Sequence, residues 1–386
     1  MPLGLKTVVQ LIAGRRSVDG DALVPSRLMF RIPEEEMARR VLDVLDSDGT
    51  ASSRLDLADL GLQPAVASEF AVPPEQALRY DIPSRLAVSD FSRIIEDPYR
   101  FVLERFKKLK YVDDRAREMN ALVFGDFAHD ILKEFGKTVL ESSECDITDS
   151  KEVGRMLLGI LKKKRVERFG ENVVPAVTLQ VEQLKPRLAA FAEKQAKWAG
   201  EGWQIKAVEE PASGDGIPWP IKDGDPVYIR GRIDRIDYNP ETDEWALLDY
   251  KTDAKGYSPD DKHRKRNDWV DLQLPLYRHI ALRGLVDENG EPLITCEEER
   301  IKLGYISLPE DTDKTGFQIA DWSKELLDSA DDKTSEVILE LQKGVVEFDS
   351  EITKPRSKIF PDDVLRPLLA RGWKASDDDD TAGIAS

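Results

Sequence analysis

Cysteine and histidine are scarce in this chain of 386 residues, with two of the first and three of the second. Cys145 and Cys296 lie far apart, which excludes a four-cysteine zinc or iron–sulfur site and fits a reducing compartment. A cytoplasmic location is the expectation. No uninterrupted apolar run of about 18 residues occurs, so no membrane partner is expected. Lys6 and Gln10 interrupt the start before an apolar run of signal-peptide length builds up, so secretion is not expected either. No Gly-x-x-x-x-Gly-Lys-Ser/Thr is present, so no ATP site is expected. Basic charge is also in deficit: 56 Lys and Arg stand against 74 Asp and Glu, a net charge of -18. Spread evenly, that charge would repel a polyanion.

The charge is not spread evenly. Residues 33–80 carry 10 acids and 4 bases, and residues 311–386 carry 18 and 10. The stretch 81–270 carries 36 acids and 33 bases, and is close to neutral. Its bases gather at Arg105, Lys107, Lys108 and Lys110, at Lys162 to Arg165, and at Arg264 to Arg266.

Periodicity divides the same stretch. Residues 1–80 are short apolar pieces broken by prolines, an irregular N-terminal segment. Ser84 to Lys110 carries apolar residues at helical spacing, interrupted at Pro98. Helices are expected over Ala121 to Leu140 and, as one long amphipathic region, from about Glu152 to Trp198. Then the period becomes two: Trp203, Ile205 and Ala207 alternate, and residues 227–250 read as a β-hairpin turning at Asn239-Pro240. A helix over Asp271 to Arg283 and a strand over Ile301 to Leu308 follow. This order predicts an α/β fold, a mixed central sheet flanked by helices with an additional helical region. Residues 311–375 read as a helical extension and 376–386 as a disordered tail.

The hairpin holds the chemistry. Asp249 and Lys251, two apart on a strand, project to one face, and Asp234 on the partner strand can meet them. Two carboxylates beside a lysine suit a hard divalent cation and phosphodiester cleavage, with the lysine orienting water and offsetting charge. Gln273 and Tyr277 sit four apart, on one side of the helix that follows. His129 lies upstream on an apolar helix, in Phe124-Gly125-Asp126-Phe127-Ala128-His129.

Together these segments resemble the RecB-like and AddB-like nuclease domains of the PD-(D/E)XK superfamily. The resemblance rests on the histidine helix, Gly231-Arg232-Ile233-Asp234, Asp249-Tyr250-Lys251-Thr252 and the Gln273-x-x-x-Tyr277 helix, in that order over roughly 81–310. Ser89-Asp90-Phe91 and Pro98-Tyr99-Arg100-Phe101 are similar to the segment that opens such domains. More faintly, Pro25-Ser26-Arg27-Leu28 is similar to the end of an inactive helicase portion. The resemblance implies a restriction-endonuclease-like core with a helical insertion at about 141–200. It implies His129, Asp234, Asp249 and the Tyr250 carbonyl as ligands of Mg²⁺ or Mn²⁺, and Lys251 as the catalytic lysine. Gln273 and Tyr277 would position lysine, water or DNA backbone, and Glu209 is a weaker candidate. Asp97 stands where iron–sulfur members carry a cysteine, so no cluster is expected.

The expected activity is a metal-dependent deoxyribonuclease, an exonuclease acting on DNA ends or single strands in recombination or repair beside a helicase subunit. An alternative keeps the fold without turnover, as a module that grips DNA ends or a helicase. A third reading takes His129-Asp130 as the signature of an HD-type phosphohydrolase. It needs further histidines, and the chain has His263 and His279 besides.

Overall fold

The computed structural model describes residues 77–108, 118–142, 145–171, 173–221, 226–287 and 289–347. The N-terminal segment before residue 77, Lys110 and the tail fall outside them. In chain order the elements begin with β1 (Ala77–Arg79), β2 (Arg85–Ala87), α1 (Asp90–Glu96) and α2 (Pro98–Arg105). Three long helices follow: α3 (Ala121–Glu141), α4 (Ser150–Phe169) and α5 (Pro175–Gly200). Then come β3 (Gln204–Pro211), β4 (Ile217–Trp219), β5 (Val227–Arg230), β6 (Arg232–Asn239) and β7 (Glu244–Lys251). A short α6 (Pro259–His263), the strands β8 (Arg264–Lys265) and β9 (Asp268–Trp269), and α7 (Gln273–Arg283) lead to β10 (Ile301–Ser307). The described chain ends with β11 (Gly316–Ile319), α8 (Lys324–Gln342) and β12 (Val345–Glu347).

Five strands form the central sheet in the order β11-β10-β7-β6-β3. The β7–β10 pair is parallel and the other neighbours are antiparallel, so the sheet is mixed. Alternation along each strand sends side chains to two cores. Ile236, Leu247, Leu303 and Tyr305 pack toward α1, α2, α7 and α8. Ile205, Val208, Ala246, Leu248 and Ile306 pack toward α3, α4 and α5. Helices on both faces of a mixed sheet are the expected restriction-endonuclease-like architecture.

Several boundaries move, each for a local reason. The hairpin is β6–β7 alone. Val227–Arg230 belongs to a second sheet, β2-β5-β4. At the break, a Cβ on Gly231 would stand 2.5 Å from Ile280 Cδ1 and 3.1 Å from Val88 Cγ1. The expected single helix over 152–198 is two, because Gly170, at φ +74°, caps α4 in the left-handed region. Pro186 does not break α5. Arg85–Ala87 is a strand where helical spacing suggested a helix, and α7 starts at Gln273 rather than Asp271. The stretch from 311 contains the edge strand β11 as well as α8.

Candidate active site

The ladder of β6 and β7 runs to Arg235↔Leu248, so the next rung sets Asp234 across from Asp249. Likewise Glu209 falls between Val208↔Arg235 and Glu210↔Ile233, across from Asp234. One row of the sheet therefore carries three carboxylates, the electrostatic signature of a cation site. Asp234 and Asp249 are both buried. Burial first, and the facing Asp249 carboxylate second, push the Asp234 carboxyl up to about 8.

His129 comes from α3, started by Asn120, whose side chain accepts the Val123 N–H. Its Nε2 lies 2.9 Å from the Tyr250 carbonyl. A carbonyl only accepts, so Nε2 carries the proton, and Nδ1 turns its lone pair toward Asp234 Oδ2 at 3.5 Å. Burial holds the imidazole below its ordinary value, which keeps it neutral as a ligand must be. Asp234 Oδ2 also accepts the Tyr250 N–H at 2.9 Å.

Lys251 Nζ is 2.6 Å from Asp249 Oδ2. Burial works most strongly against its ammonium, but the attraction and hydrogen bond of Asp249, together with Asp271 and Asp234, leave the pKa above the ordinary lysine value. The lysine is charged. The other oxygen, Asp249 Oδ1, accepts from Gln273 Nε2 at 2.8 Å, and Gln273 also donates to the Tyr277 hydroxyl at 2.7 Å. The Tyr277 proton has the Arg232 carbonyl at 3.0 Å and Asp249 Oδ1 at 3.3 Å as acceptors. Burial, then the two aspartates, raise that phenol well above its ordinary value, so it stays protonated. Glu209 Oε2 is held by Arg232 Nε at 2.6 Å and by Lys133 Nζ at 3.6 Å.

His129, Asp234, Asp249, Tyr250, Lys251, Gln273 and Tyr277 thus converge at one end of β6 and β7. Among the described residues no three His, Cys, Asp or Glu side chains stand close enough to cage an ion unaided. The donor set nonetheless fits a hard divalent cation. The His129 Nδ1 lone pair and the Asp234 carboxyl face each other at 3.5 Å, Asp234 would give up its proton to a bound cation, and Asp249 adds a second buried carboxyl group. A cation bound through two carboxylates, with the backbone carbonyl and water completing its shell, is the pattern for Mg²⁺ or Mn²⁺. The HD-type reading fails: Asp130 pairs with Arg168, His279 with Asp331, and His263 bonds Asp271 and Tyr305.

Sequence reasoning missed three supports. The Tyr305 ring lies 5.1 Å from Lys251 Nζ, and its hydroxyl donates to His263 Nε2 at 2.6 Å. Arg187 on α5 clamps the ends of β7 and β10, donating to the carbonyls of Thr252 (3.2 Å) and Leu308 (3.1 Å). None lies in the Asp-x-Lys or Gln-x-x-x-Tyr pattern. Only the parallel β7–β10 pairing, Tyr305↔Asp249, brings Tyr305 to the site.

Fold and site define a restriction-endonuclease-like protein with a carboxylate-and-lysine centre. The chain belongs to the PD-(D/E)XK nuclease superfamily, whose family model matches residues 85–353. Nucleases of that superfamily generally use divalent metal ions. An uncharacterized protein of Rickettsia felis is 25% identical over 248 residues, 63% of this chain and 27% of the relative. The chain spans about a quarter of that relative's length. A crystal structure from Eubacterium rectale, provisionally named an exonuclease, covers 75% of this chain and 94% of its own at 14% identity, with a TM-score of 0.39. Among the described residues no helix is long and apolar enough to cross a membrane.

Proposed function

We propose that this chain is a metal-dependent deoxyribonuclease that removes nucleotides from DNA ends, in the cytoplasm, beside a helicase in recombination or repair. The observation that carries the chemistry is the joint presence of Asp234, Asp249 and charged Lys251 at one strand end. Asp234, Asp249 and the Tyr250 carbonyl would hold Mg²⁺ or Mn²⁺, with His129 completing the set. The bound cation would polarise the scissile phosphate and lower the pKa of a water.

The remaining parts belong to the chain. Lys251 Nζ, fixed by Asp249 Oδ2 and lying over the Tyr305 ring, is placed to hold the attacking water and to offset the charge that grows on the phosphate. Gln273 and Tyr277 occupy Asp249 Oδ1, so that carboxylate keeps one orientation through turnover. Glu209, tied to Arg232 and Lys133, completes the row and fixes the rim of the site. The helicase partner rests on the RecB-like and AddB-like resemblance alone.

The test compares linear with covalently closed circular DNA in Mg²⁺ and in Mn²⁺. Acid-soluble nucleotides released from the linear form alone are expected. Cleavage of the circle would replace exonuclease with endonuclease action, and inertness of folded protein in both metals would support the non-cleaving alternative.

A further inference from the structure

The chemistry above leaves the basic triplet Arg264-Lys265-Arg266 unused. It lies in the segment joining Lys251 to Gln273, and the structure turns it into a small hairpin. Arg264 pairs with Trp269 and Lys265 with Asp268, leaving Arg266 and Asn267 as a two-residue turn. Both turn residues have positive φ, 51° and 71°. Such turns favour Asn and Gly. Asn267 conforms, but Arg266 places a long cation in the left-handed region, a strained choice with no packing reason, since its side chain is exposed. Lys265 is exposed too, and neither forms an ion pair among the described residues. Of the nearby acids, Asp260 is committed to Arg264 and Trp322 and Asp261 to the Ser258 cap, while exposed Asp268 lies across the ladder from Lys265 and leaves Arg266 as the outermost charge.

The base is packed into α8 and tied to the site. Trp269 is buried, donates to Ser329 Oγ on α8 at 2.9 Å, and meets Trp322 edge-on at 5.1 Å. The Arg264 guanidinium packs 5.7 Å over the Trp269 ring. His263, the residue before β8, donates from Nδ1 to the Asp271 carbonyl at 2.8 Å and accepts the Tyr305 hydroxyl. Tyr305 carries Lys251 on its ring, and Asp271 Oδ1 accepts the Gln273 N–H at 2.8 Å. The hairpin base therefore touches the residues that hold Lys251 and Gln273, and Arg266 follows His263 by at most about 10 Å of chain.

We propose that the β8–β9 hairpin is a phosphate grip, in which Lys265 and Arg266 bind the backbone of the nucleic-acid strand entering the site. The proposal rests on the nuclease reading and gives that site its substrate handle. Arg266 offers a planar fork to phosphate oxygens and Lys265 a point charge. The aromatic base fixes both charges relative to Lys251, so a strand held at the tip is also held in register with the scissile position.

The full chain, with and without Lys265→Ala/Arg266→Ala, is tested in chelator, where no cleavage occurs, for binding of a fluorescein-labelled single-stranded 20-mer across a salt series. The double variant is expected to bind about 10-fold more weakly, with a log–log salt slope smaller by about 1.4, two phosphate contacts at 0.7 each. Hydrolysis of the 4-nitrophenyl ester of thymidine 5′-phosphate, too short to reach the tip, is expected to be unchanged in Mg²⁺ or Mn²⁺. Arg266→Gly relieves the left-handed arginine, and is expected to raise the unfolding midpoint while weakening DNA binding. Unchanged affinity and slope in the double variant would overturn the grip. So would affinity lost together with an equal loss of ester hydrolysis, because the substitutions would then have disturbed the site itself. If wild-type protein hydrolyses neither ester nor DNA while the double variant still loses affinity and slope, the nuclease reading falls and the grip stands.

Discussion

Asp234 is the residue in which fold and function oppose each other. It is buried opposite a second carboxylate, and its carboxyl is raised from 3.8 to about 8. The folded chain therefore holds a proton there that the unfolded chain releases above about pH 4. This group's contribution to metal-free stability is fully present below that pH, and is lost as pH rises through about 8. Asp234→Asn removes the penalty and keeps an oxygen to accept the Tyr250 N–H. In chelator, its stability advantage over wild type is expected to grow with pH by at most about 1.4 kcal/mol per unit between 4 and 8. Urea denaturation at several pH values measures it, and a pH-independent difference would remove the buried carboxylate as its cause.

At the scale of elements, the site depends on α7 lying close to the start of β6. Gly231 permits this, since a Cβ there would press into Ile280 of α7 and Val88. Gly231→Ala is expected to cost about 1–3 kcal/mol and to lower activity by shifting Gln273 and Tyr277 off Asp249. Denaturation and turnover of the same sample check both, and a neutral substitution would show that α7 adapts freely. The same elements show what a sequence makes legible. The Asp234, Asp249 and Lys251 constellation was readable because period-two alternation fixes which residues share a face. Tyr305 and Arg187 were not, because they reach the site through a parallel strand pair and a helix distant in sequence. The split of α4 from α5 needed the left-handed Gly170, which carries no hydrophobic signal. The second sheet took Val227–Arg230 out of the expected hairpin, although its alternation continues into β6.

For the whole molecule, the net charge of -18 stops being an argument against DNA. The stretch 81–270 that holds most of the site is nearly neutral, and three of its acids, Glu209, Asp234 and Asp249, line the site itself. Bound cation would offset them. Metal at about 100 times its dissociation constant is expected to stabilise the fold by about 2.7 kcal/mol. That raises the unfolding midpoint by roughly 3–5 °C for a chain of this size. Differential scanning fluorimetry in Mg²⁺ and Mn²⁺ reads the shift, and an equal shift in Asp249→Ala would place the ion elsewhere.

Asp249 and Lys251 are the proposed hydrolytic centre. Its most direct test is nucleotide release from linear DNA by wild type, Asp249→Ala and Lys251→Ala, each shown to be folded by circular dichroism. Metal-dependent release by wild type and a fall of at least about 10²–10³-fold in both variants is the predicted result. Full activity in either variant would contradict it.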